Sequence, residues 1–443
     1  MEHRVFEDRG IIHFIGIGGI GMSALAKYYI SQGVAVSGSD LTSSEITNEL
    51  EKLGVKIYIG KHQKQNIPPN AKLVIYTAAV SQQNPEFKEA KSRKIKTKSY
   101  AEAIGEITKK YRTITVSGAH GKSTTTALVA LVLEEGHRDP TVIIGTKVKE
   151  FGNSNFRRGH GSDLVLEADE WNKSFLEYFP WIAIITNIDA EHLDTYKNKK
   201  NIERAFAAYL AKVPQNGKII ANADDPSLKA VADKFGSRVI WYSLNDPEAE
   251  IIRKILHIPG KHNISNALAA LKLGRILGIC ETHILQALAR FNGTWRRFEF
   301  KGIKNGAYIY ADYGHHPREI QATIKAARER FPMRRIWCVY QPHQYQRLAY
   351  LWDDFITTFD LADRIVLLPV YDVAGRETKS ARAKVNSKKL TTELKKRGKN
   401  TKYFDSFTAT QNFVESNVHP GDVVLVMGAG DIYGLALDLV AVQ

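Results

Sequence analysis

Arg112-Thr113-Ile114-Thr115-Val116-Ser117-Gly118-Ala119-His120-Gly121-Lys122-Ser123-Thr124 is the stretch that decides the fold. The β-branched run Arg112–Val116 predicts a strand, Gly118 to Gly121 a tight turn, and the residues from Ser123 to about Glu135 a helix. A strand that feeds a helix through glycines is a phosphate-binding loop: backbone N–H groups at the helix start face phosphate oxygens. Lys122 adds a point charge, and the Ser123 hydroxyl is a magnesium ligand type. The turn is shorter than the usual G-x-x-x-x-G-K-[ST], because position 116 is valine. The bland alternative is a glycine-rich helix entry with a chance lysine.

Upstream, Gly16-x-Gly18-Gly19-x-Gly21 stands between a predicted strand, Ile11–Ile15, and a predicted helix, Ile20–Gln32. Further strands are expected at Val34–Gly38, Val55–Ile59 and Leu73–Tyr76. Asp40 lies about 20 residues beyond the glycines, where an acid can reach a ribose. A nicotinamide dinucleotide, another nucleotide diphosphate and a merely tight turn all fit these residues.

Downstream, acids gather at strand ends. Glu167-Ala168-Asp169-Glu170 follows the apolar run Leu164–Leu166. Thr186-Asn187-Ile188-Asp189-Ala190-Glu191-His192-Leu193-Asp194 follows Ile182–Thr186. Carboxylates at the C-terminal edge of a parallel sheet face its ligand crevice, and magnesium takes one or two of them plus phosphates. His192 among such acids reads as a metal ligand or proton carrier, although a lone histidine is more often structural. Amphipathic helices are predicted at Ile202–Leu210 and Asn263–Leu277. From Arg296 a further unit is expected, with strands at Tyr308–Ala311, Ile336–Tyr340, Arg364–Leu368 and Val423–Met427. Asp312-Tyr313-Gly314-His315-His316-Pro317 and Gln341-Pro342-His343-Gln344-Tyr345-Gln346-Arg347 each follow one of these strands.

Strands alternating with helices throughout predict an α/β protein of three domains in series. These are a Rossmann-like domain over 1–109, a central P-loop domain with a mostly parallel sheet over 110–295, and a second Rossmann-like domain over 296–443. A chain of 443 residues is long enough for several cores. The net charge of +15 favours polyanionic partners, and small phosphorylated substrates satisfy it as well as nucleic acid. No nucleic-acid motif accompanies the charge, so none is expected as a partner. Two distant cysteines, Cys280 and Cys338, exclude a disulfide framework and point to a reducing, cytoplasmic setting. The first ten residues are polar, unlike a leader peptide. The apolar run Ile11–Ile30 carries His13, Lys27 and four glycines, which argues against membrane insertion.

Six motifs in one order carry a family resemblance: the phosphate loop, Glu167 to Glu170, Thr186 to Asp194, Gly260-Lys261-His262-Asn263-Ile264-x-Asn266-Ala267, Arg296-Arg297-Phe298-Glu299 and Tyr313 to Pro317. The chain resembles the Mur ligases over nearly its whole length. The resemblance implies that ATP activates the lactyl carboxylate of UDP-N-acetylmuramate as an acyl phosphate, which the amine of L-alanine then attacks. It moves Gly16, Gly18, Gly19 and Gly21, with Asp40 and Thr77, from a dinucleotide to the UDP-sugar. It gives Gly118, Ala119, His120, Gly121, Lys122, Ser123, Thr124, Asn263, Arg297 and Asp312 to ATP. Two magnesium ions are implied, one on Ser123 and Glu167, the other on Glu167 and His192. Tyr313, His315, His343 and Arg347 are implied for the amino acid. Lys122, Glu167, His192, His343 and Arg347 are the implied catalytic set.

The chain departs from the family pattern at Ala119, Ser123, Trp171-Asn172, Ala311 and Gln344, and the stretch between Asp225 and Pro259 is short, which predicts missing β-hairpin material. Trp171-Asn172, Ala311 and Gln344 bear on amino-acid choice, so addition of a whole tripeptide to the same sugar nucleotide stays open. A dehydrogenase built on the first glycine motif would leave the phosphate loop without a purpose. A non-catalytic UDP-sugar sensor would have no need of a complete metal site.

Overall fold

The computed structural model describes residues 10–189, 191–372 and 379–441, and only the backbone at 193–194 and 379–381. Residues 1–9, where a leader was read as absent, and Ala190 of the His192 motif lie outside these. Three α/β sheets follow one another along the chain.

The first sheet contains β1 (Ile11–Ile15), β2 (Val36–Asp40), β3 (Lys56–Ile59), β4 (Ala71–Tyr76) and β5 (Lys96–Ser99), ordered β3-β2-β1-β4-β5. All its pairings are parallel. The strand order reverses between the paired neighbours β1 and β4, so the connections leaving their C-terminal ends part to opposite sides and open a crevice there. The run that raised a membrane question is β1, the glycine turn and helix α1 (Ile20–Ser31). No described helix is long and apolar enough to cross a membrane. β2 begins two residues later than the apolar run suggested. Gly33, at φ +73°, ends α1, and the Val34 N–H returns to the Tyr29 carbonyl, so Val34 completes the helix cap instead of entering the strand.

A buried polar knot ties this domain together. Glu86, in helix Pro85–Ser92, is fully buried and accepts from Ser39 Oγ at 2.6 Å and Asn66 Nδ2 at 2.6 Å. His13 Nε2 and His62 Nδ1 approach the same carboxylate at 3.2 and 3.1 Å. Burial alone pushes the Glu86 carboxyl up, but the hydrogen bonds from His13, Ser39 and Asn66 outweigh it and bring it down to about 2. A pKa below the ordinary 4.5 means the knot stabilises fully above pH 4.5 and loses its contribution as pH falls toward 2. That contribution is ~3 kcal/mol. In urea unfolding, Glu86→Gln is expected to be less stable than the parent at pH 7 and to lose less between pH 5 and 3; equal acid sensitivity of the two proteins contradicts this.

The second sheet orders β12-β11-β10-β6-β9-β7-β8, with β6 (Arg112–Ser117), β7 (Thr141–Val148), β8 (Ser154–Arg157), β9 (Asp163–Glu167), β10 (Ile182–Ile185), β11 (Lys218–Asn222) and β12 (Val239–Tyr242). Only β8 runs antiparallel, against β7. Central strand β6 is Thr/Ile/Val-rich and buried except for Arg112 at its start, as expected for a strand covered on both faces. Between Asp225 and Pro259 the chain forms helices Pro226–Ala232 and Glu248–Ile255 and the edge strand β12, with no β-hairpin.

The first two sheets belong to one compact unit, which runs through Leu256 and takes in Ile264–Phe291. One apolar cluster joins Phe14, Leu25 and Ile104 of the first domain to Leu164, Phe175 and Tyr209 of the second. Polar contacts fasten the same joint. Lys27 donates to Asn155 Oδ1 at 2.8 Å, and Asn155 Nδ2 donates to the Ile20 carbonyl at 2.7 Å. Lys147, 1% exposed at its side chain, pairs with Glu45 at 2.6 Å and with Glu49.

The second compact unit comprises His257–Asn263 and the chain from Asn292 onward. Its sheet orders β13-β14-β18-β15-β16-β17: β13 (Glu299–Lys304), β14 (Ala307–Asp312), β15 (Ile336–Tyr340), β16 (Arg364–Leu367), β17 (Thr401–Tyr403) and β18 (Val423–Met427). All pairings but β13–β14 are parallel. Side chains alternate across it: Ile336, Cys338 and Tyr340 enter one core, Trp337 and Val339 the other.

Candidate active site

The phosphate loop is held from the next strand. Beyond β10, Asn187 Oδ1 accepts the His120 N–H at 2.9 Å, while Asn187 Nδ2 and Thr186 Oγ1 donate to the His120 carbonyl at 2.9 and 2.6 Å. The Thr-Asn of the Thr186 motif therefore shapes the loop. Gly118 has no alternative residue: its φ is +134°, and a Cβ there would stand 2.2 Å from Thr186 Oγ1. Gly121, at φ +83°, precedes helix Lys122–Glu135, and a Cβ there would stand 2.5 Å from Asn266 Oδ1.

Lys122 and Ser123 each meet a carboxylate. Lys122 Nζ donates to Glu170 at 3.0 and 3.1 Å and to the Gly118 carbonyl at 2.7 Å, with Asp169 at 3.8 Å. Ser123 Oγ donates to Glu167 Oε1 at 2.9 Å, and the Gly145 N–H in β7 donates to Glu167 Oε2 at 2.8 Å. His192, at φ +54°, brings Nε2 to 3.6 Å from Glu170 and 3.8 Å from Glu191. Thus the carboxylates beside His192 are Glu170 and Glu191, whereas Glu167 sits with Ser123 and Gly145. One ligand atom each from Asp169, Glu170 and His192 lie within 4.8 Å of one another.

The charges here do not balance. Burial opposes the Lys122 ammonium, but Glu170, Asp169, Glu191 and Glu167 outweigh it and raise its pKa. Burial, with Asp169 nearby, pushes the Glu167 and Glu170 carboxyls up despite the lysine. One lysine facing four carboxylates leaves excess negative charge in a poorly solvated place, which suits a divalent cation. Hard oxygen donors from Ser123, Glu167, Glu170 and Asp169 are the donor set magnesium takes.

At the first sheet, Gly16 (φ +81°), Gly18, Gly19 and Gly21 form the turn into α1. Asp40 Oδ2 accepts the Gly18 N–H at 2.8 Å, so Asp40 folds onto the loop itself. Thr77 flanks it from β4: its methyl lies 2.6 Å from where a Gly16 Cβ would stand. Gly19 caps α1 without a side-chain hydrogen bond, and the first turn has no acid, so the helix start is free to receive an anion. Sequence reading passed over Tyr100, which closes this site from α4 (Tyr100–Thr108; α2 and α3 are Glu45–Lys52 and Pro85–Ser92). Its ring lies 3.0 Å from a Gly21 Cβ position, and its hydroxyl pKa is raised by burial and then by Glu167 and Asp169. Tyr100 thus stands between the glycine turn and the acids. Nothing in its local sequence marks it.

In the second unit the predicted residues collect at the C-terminal edge of the sheet. Asp312 is buried and accepts from the Phe298 and Gly314 N–H groups at 2.8 Å each. Burial pushes its carboxyl up. The Arg297 guanidinium lies 5.2 Å from the Tyr313 ring and 3.5 Å from Glu319. Tyr313, His315 and His343 form a chain of edge contacts at 5.4 and 5.7 Å. Arg347 Nη1 lies 3.2 Å from His343 Nδ1; a guanidinium only donates, so Nδ1 accepts. Asn263 Nδ2 donates to the Pro259 carbonyl at 2.6 Å. Of the departures, Ala311 is buried in β14, Asn172 has φ +51°, and Gln344 has φ +72°.

A glycine-loop domain, a phosphate loop with paired carboxylates and a third α/β unit define one class of protein: the chain belongs to the Mur ligase family. The Mur ligase catalytic-domain model matches residues 11–112, the middle-domain model 116–274, and the glutamate ligase domain model 296–430. It is 38% identical to a UDP-N-acetylmuramate–L-alanine ligase of Clostridium botulinum (strain Okra), over 95% of both chains. It is 40% identical to the ligase of the same name from Acetivibrio thermocellus, over 95% of this chain and 94% of the relative. Among solved structures, the UDP-N-acetylmuramate-alanine ligase of Thermotoga maritima superposes with a TM-score of 0.82 at 29% identity, covering 97% of this chain and 98% of that one. A murein peptide ligase from Psychrobacter arcticus, at 22% identity and a TM-score of 0.70 over 98% of this chain and all of that one, shares the fold.

Proposed function

We infer that this protein joins L-alanine to UDP-N-acetylmuramate at the expense of ATP, a step of peptidoglycan precursor synthesis. One observation carries the reading: a phosphate loop, with Lys122 on the buried Glu170 and Ser123 on the partly buried Glu167, sits in a chain matching named L-alanine ligases over 95% of its length.

A carboxylate is a poor acyl donor, so a lactyl oxygen first attacks the γ-phosphorus and ADP leaves. The alanine nitrogen then attacks the acyl carbon, loses a proton, and phosphate departs. Lys122 offsets the charge gathering on the γ-phosphate, and the loop amides from Gly118 to Thr124 orient it. We assign magnesium to Ser123 and Glu167, and a second ion to Glu167 and His192 with Glu170 and Asp169 beside it. When bound, such ions neutralise phosphate charge. The α1 start, with Gly16, Gly18, Gly19, Gly21, Asp40 and Thr77, takes the UDP-sugar. Asn263, Arg297 and Asp312 serve ATP, and Tyr313, His315, His343 and Arg347 the amino acid. We place the domains at 1–109, 110–295 and 296–443, and the protein in the cytoplasm, where its nucleotide substrates are made.

Phosphate release with UDP-N-acetylmuramate and ATP tests the assignment when L-alanine, glycine, L-serine and the murein tripeptide are offered in turn. L-Alanine is expected to give the highest kcat/KM. Turnover with the tripeptide alone overturns the reading.

A further inference from the structure

Gln341 follows β15 at the same sheet edge as His343. It is 6% exposed, and its side-chain Oε1 is buried without a hydrogen-bond partner. A buried carbonyl oxygen that meets no donor forfeits its hydration, and such groups in folded proteins call for a specific explanation. The backbone around it is held by hydrogen bonds on both sides. The Gln341 N–H donates to the Met427 carbonyl at 3.1 Å. The Tyr371 N–H donates to the Pro342 carbonyl at 2.7 Å, and the Gln344 N–H donates to the Tyr371 carbonyl at 3.0 Å. The His343 ring stacks on Tyr371 at 5.4 Å and 9°. On the far side, a Cβ on Gly430 would stand 2.8 Å from Gln341 Oε1 and 2.7 Å from the Tyr371 ring. The segment carrying Gly430 is itself clamped, since Arg296 Nη2 donates to the Gly428 and Gly430 carbonyls at 2.9 Å each. Gln344 holds φ +72°, an unfavourable conformation for a residue with a side chain, and strain of this kind persists where the surroundings over-determine it.

We propose that the Gln341 side-chain carbonyl receives the amino group of the incoming amino acid and so selects and orients that substrate. The proposal rests on the ligase reading above. A carbonyl oxygen only accepts, so its ligand must donate. The same loop carries Arg347, whose guanidinium reaches His343 and keeps further N–H groups for a carboxylate. An acceptor and a cation on one loop match the two ends of an α-amino acid. The other donors available are the hydroxyl and amino groups of the nucleotides, and kinetics separates them from the amine.

The test uses the full-length protein with ATP, UDP-N-acetylmuramate and magnesium. Gln341→Leu, which removes the acceptor at similar size, is expected to raise the KM for L-alanine about tenfold or more, with the KM values for ATP and UDP-sugar within about twofold of the parent. Gln341→Glu, which keeps an acceptor oxygen, is expected to recover most of the loss. Inhibition by propionate, an alanine without its amine, should be equal in the parent and Gln341→Leu. Hydroxylamine, which traps acyl phosphates without needing an amino-acid site, reports that the variant is folded; if Leu is not tolerated, Gln341→Met takes its place. An unchanged KM for alanine overturns the proposal, and so does a rise confined to the KM for ATP, which assigns the carbonyl to the nucleotide. Failure of the unmodified protein to ligate any amino acid overturns the ligase reading instead.

Discussion

Lys122→Ala is expected to lower ATP-dependent ligation by about three orders of magnitude or more while UDP-sugar binding persists. The lysine pairs with Glu170 at 3.0 Å and stands beside Asp169, with Glu167 and Glu191 adding to the field. Its surroundings raise its pKa, so it stays charged throughout the working pH range. Without it, the acids around the loop lose their lysine counter-charge, and the negative charge gathering between γ-phosphate and carboxylate is offset by the bound magnesium and the loop amides alone. The UDP-sugar loop at Gly16 to Gly21 lies on a different sheet and keeps its own anchor, Asp40 on the Gly18 N–H. Calorimetric binding of UDP-N-acetylmuramate beside a phosphate-release assay separates the two effects. Undiminished turnover in Lys122→Ala removes the loop from the mechanism.

Glu167→Gln is expected to lower kcat by about two orders of magnitude and to raise the magnesium concentration for half-maximal activity about tenfold. The two donors meet different oxygens of Glu167; the amide keeps its one oxygen for the Gly145 N–H, and its NH2 meets the Ser123 hydroxyl, which can accept as well as donate, so loss of the charge is the main change. Excess magnesium should restore part of the rate. A magnesium titration superposable on that of the parent contradicts the assignment of Glu167 as a ligand.

Much of the fold was legible because its signals are local. Ile11–Ile15, Ile336–Tyr340 and Val423–Met427 are apolar runs between turn residues, and all three are strands over those very residues. Of the strands not foreseen, β11 and β12 carry strong signals in Ile219-Ile220 and Val239-Ile240-Trp241-Tyr242, whereas others are weak. β5 reads Lys-Thr-Lys-Ser and β17 Thr-Lys-Tyr; both lie at sheet edges, where one flank faces no neighbour and polar residues are tolerated. β7 contains Gly145, a poor strand former, placed there because its N–H holds Glu167 and a Cβ would lie 3.0 Å from that carboxylate.

The sequence by itself determined the class of fold, the order of its sheets and the type of chemistry. Strand periodicity, glycine turns and the Gly-Lys-Ser spacing act over a few residues, and neighbours in the chain decide them. Only the tertiary structure decided the partners. Lys122 meets Glu170, 48 residues away, and Ser123 meets Glu167, 44 away. The first two domains share one core, Tyr100 lies between the glycine turn and the acids, and Gln341 keeps its carbonyl buried without a donor. Each of these depends on which strand ends the crossovers bring to one edge. A parallel sheet places residues from distant strands side by side, and their spacing along the chain carries no trace of it.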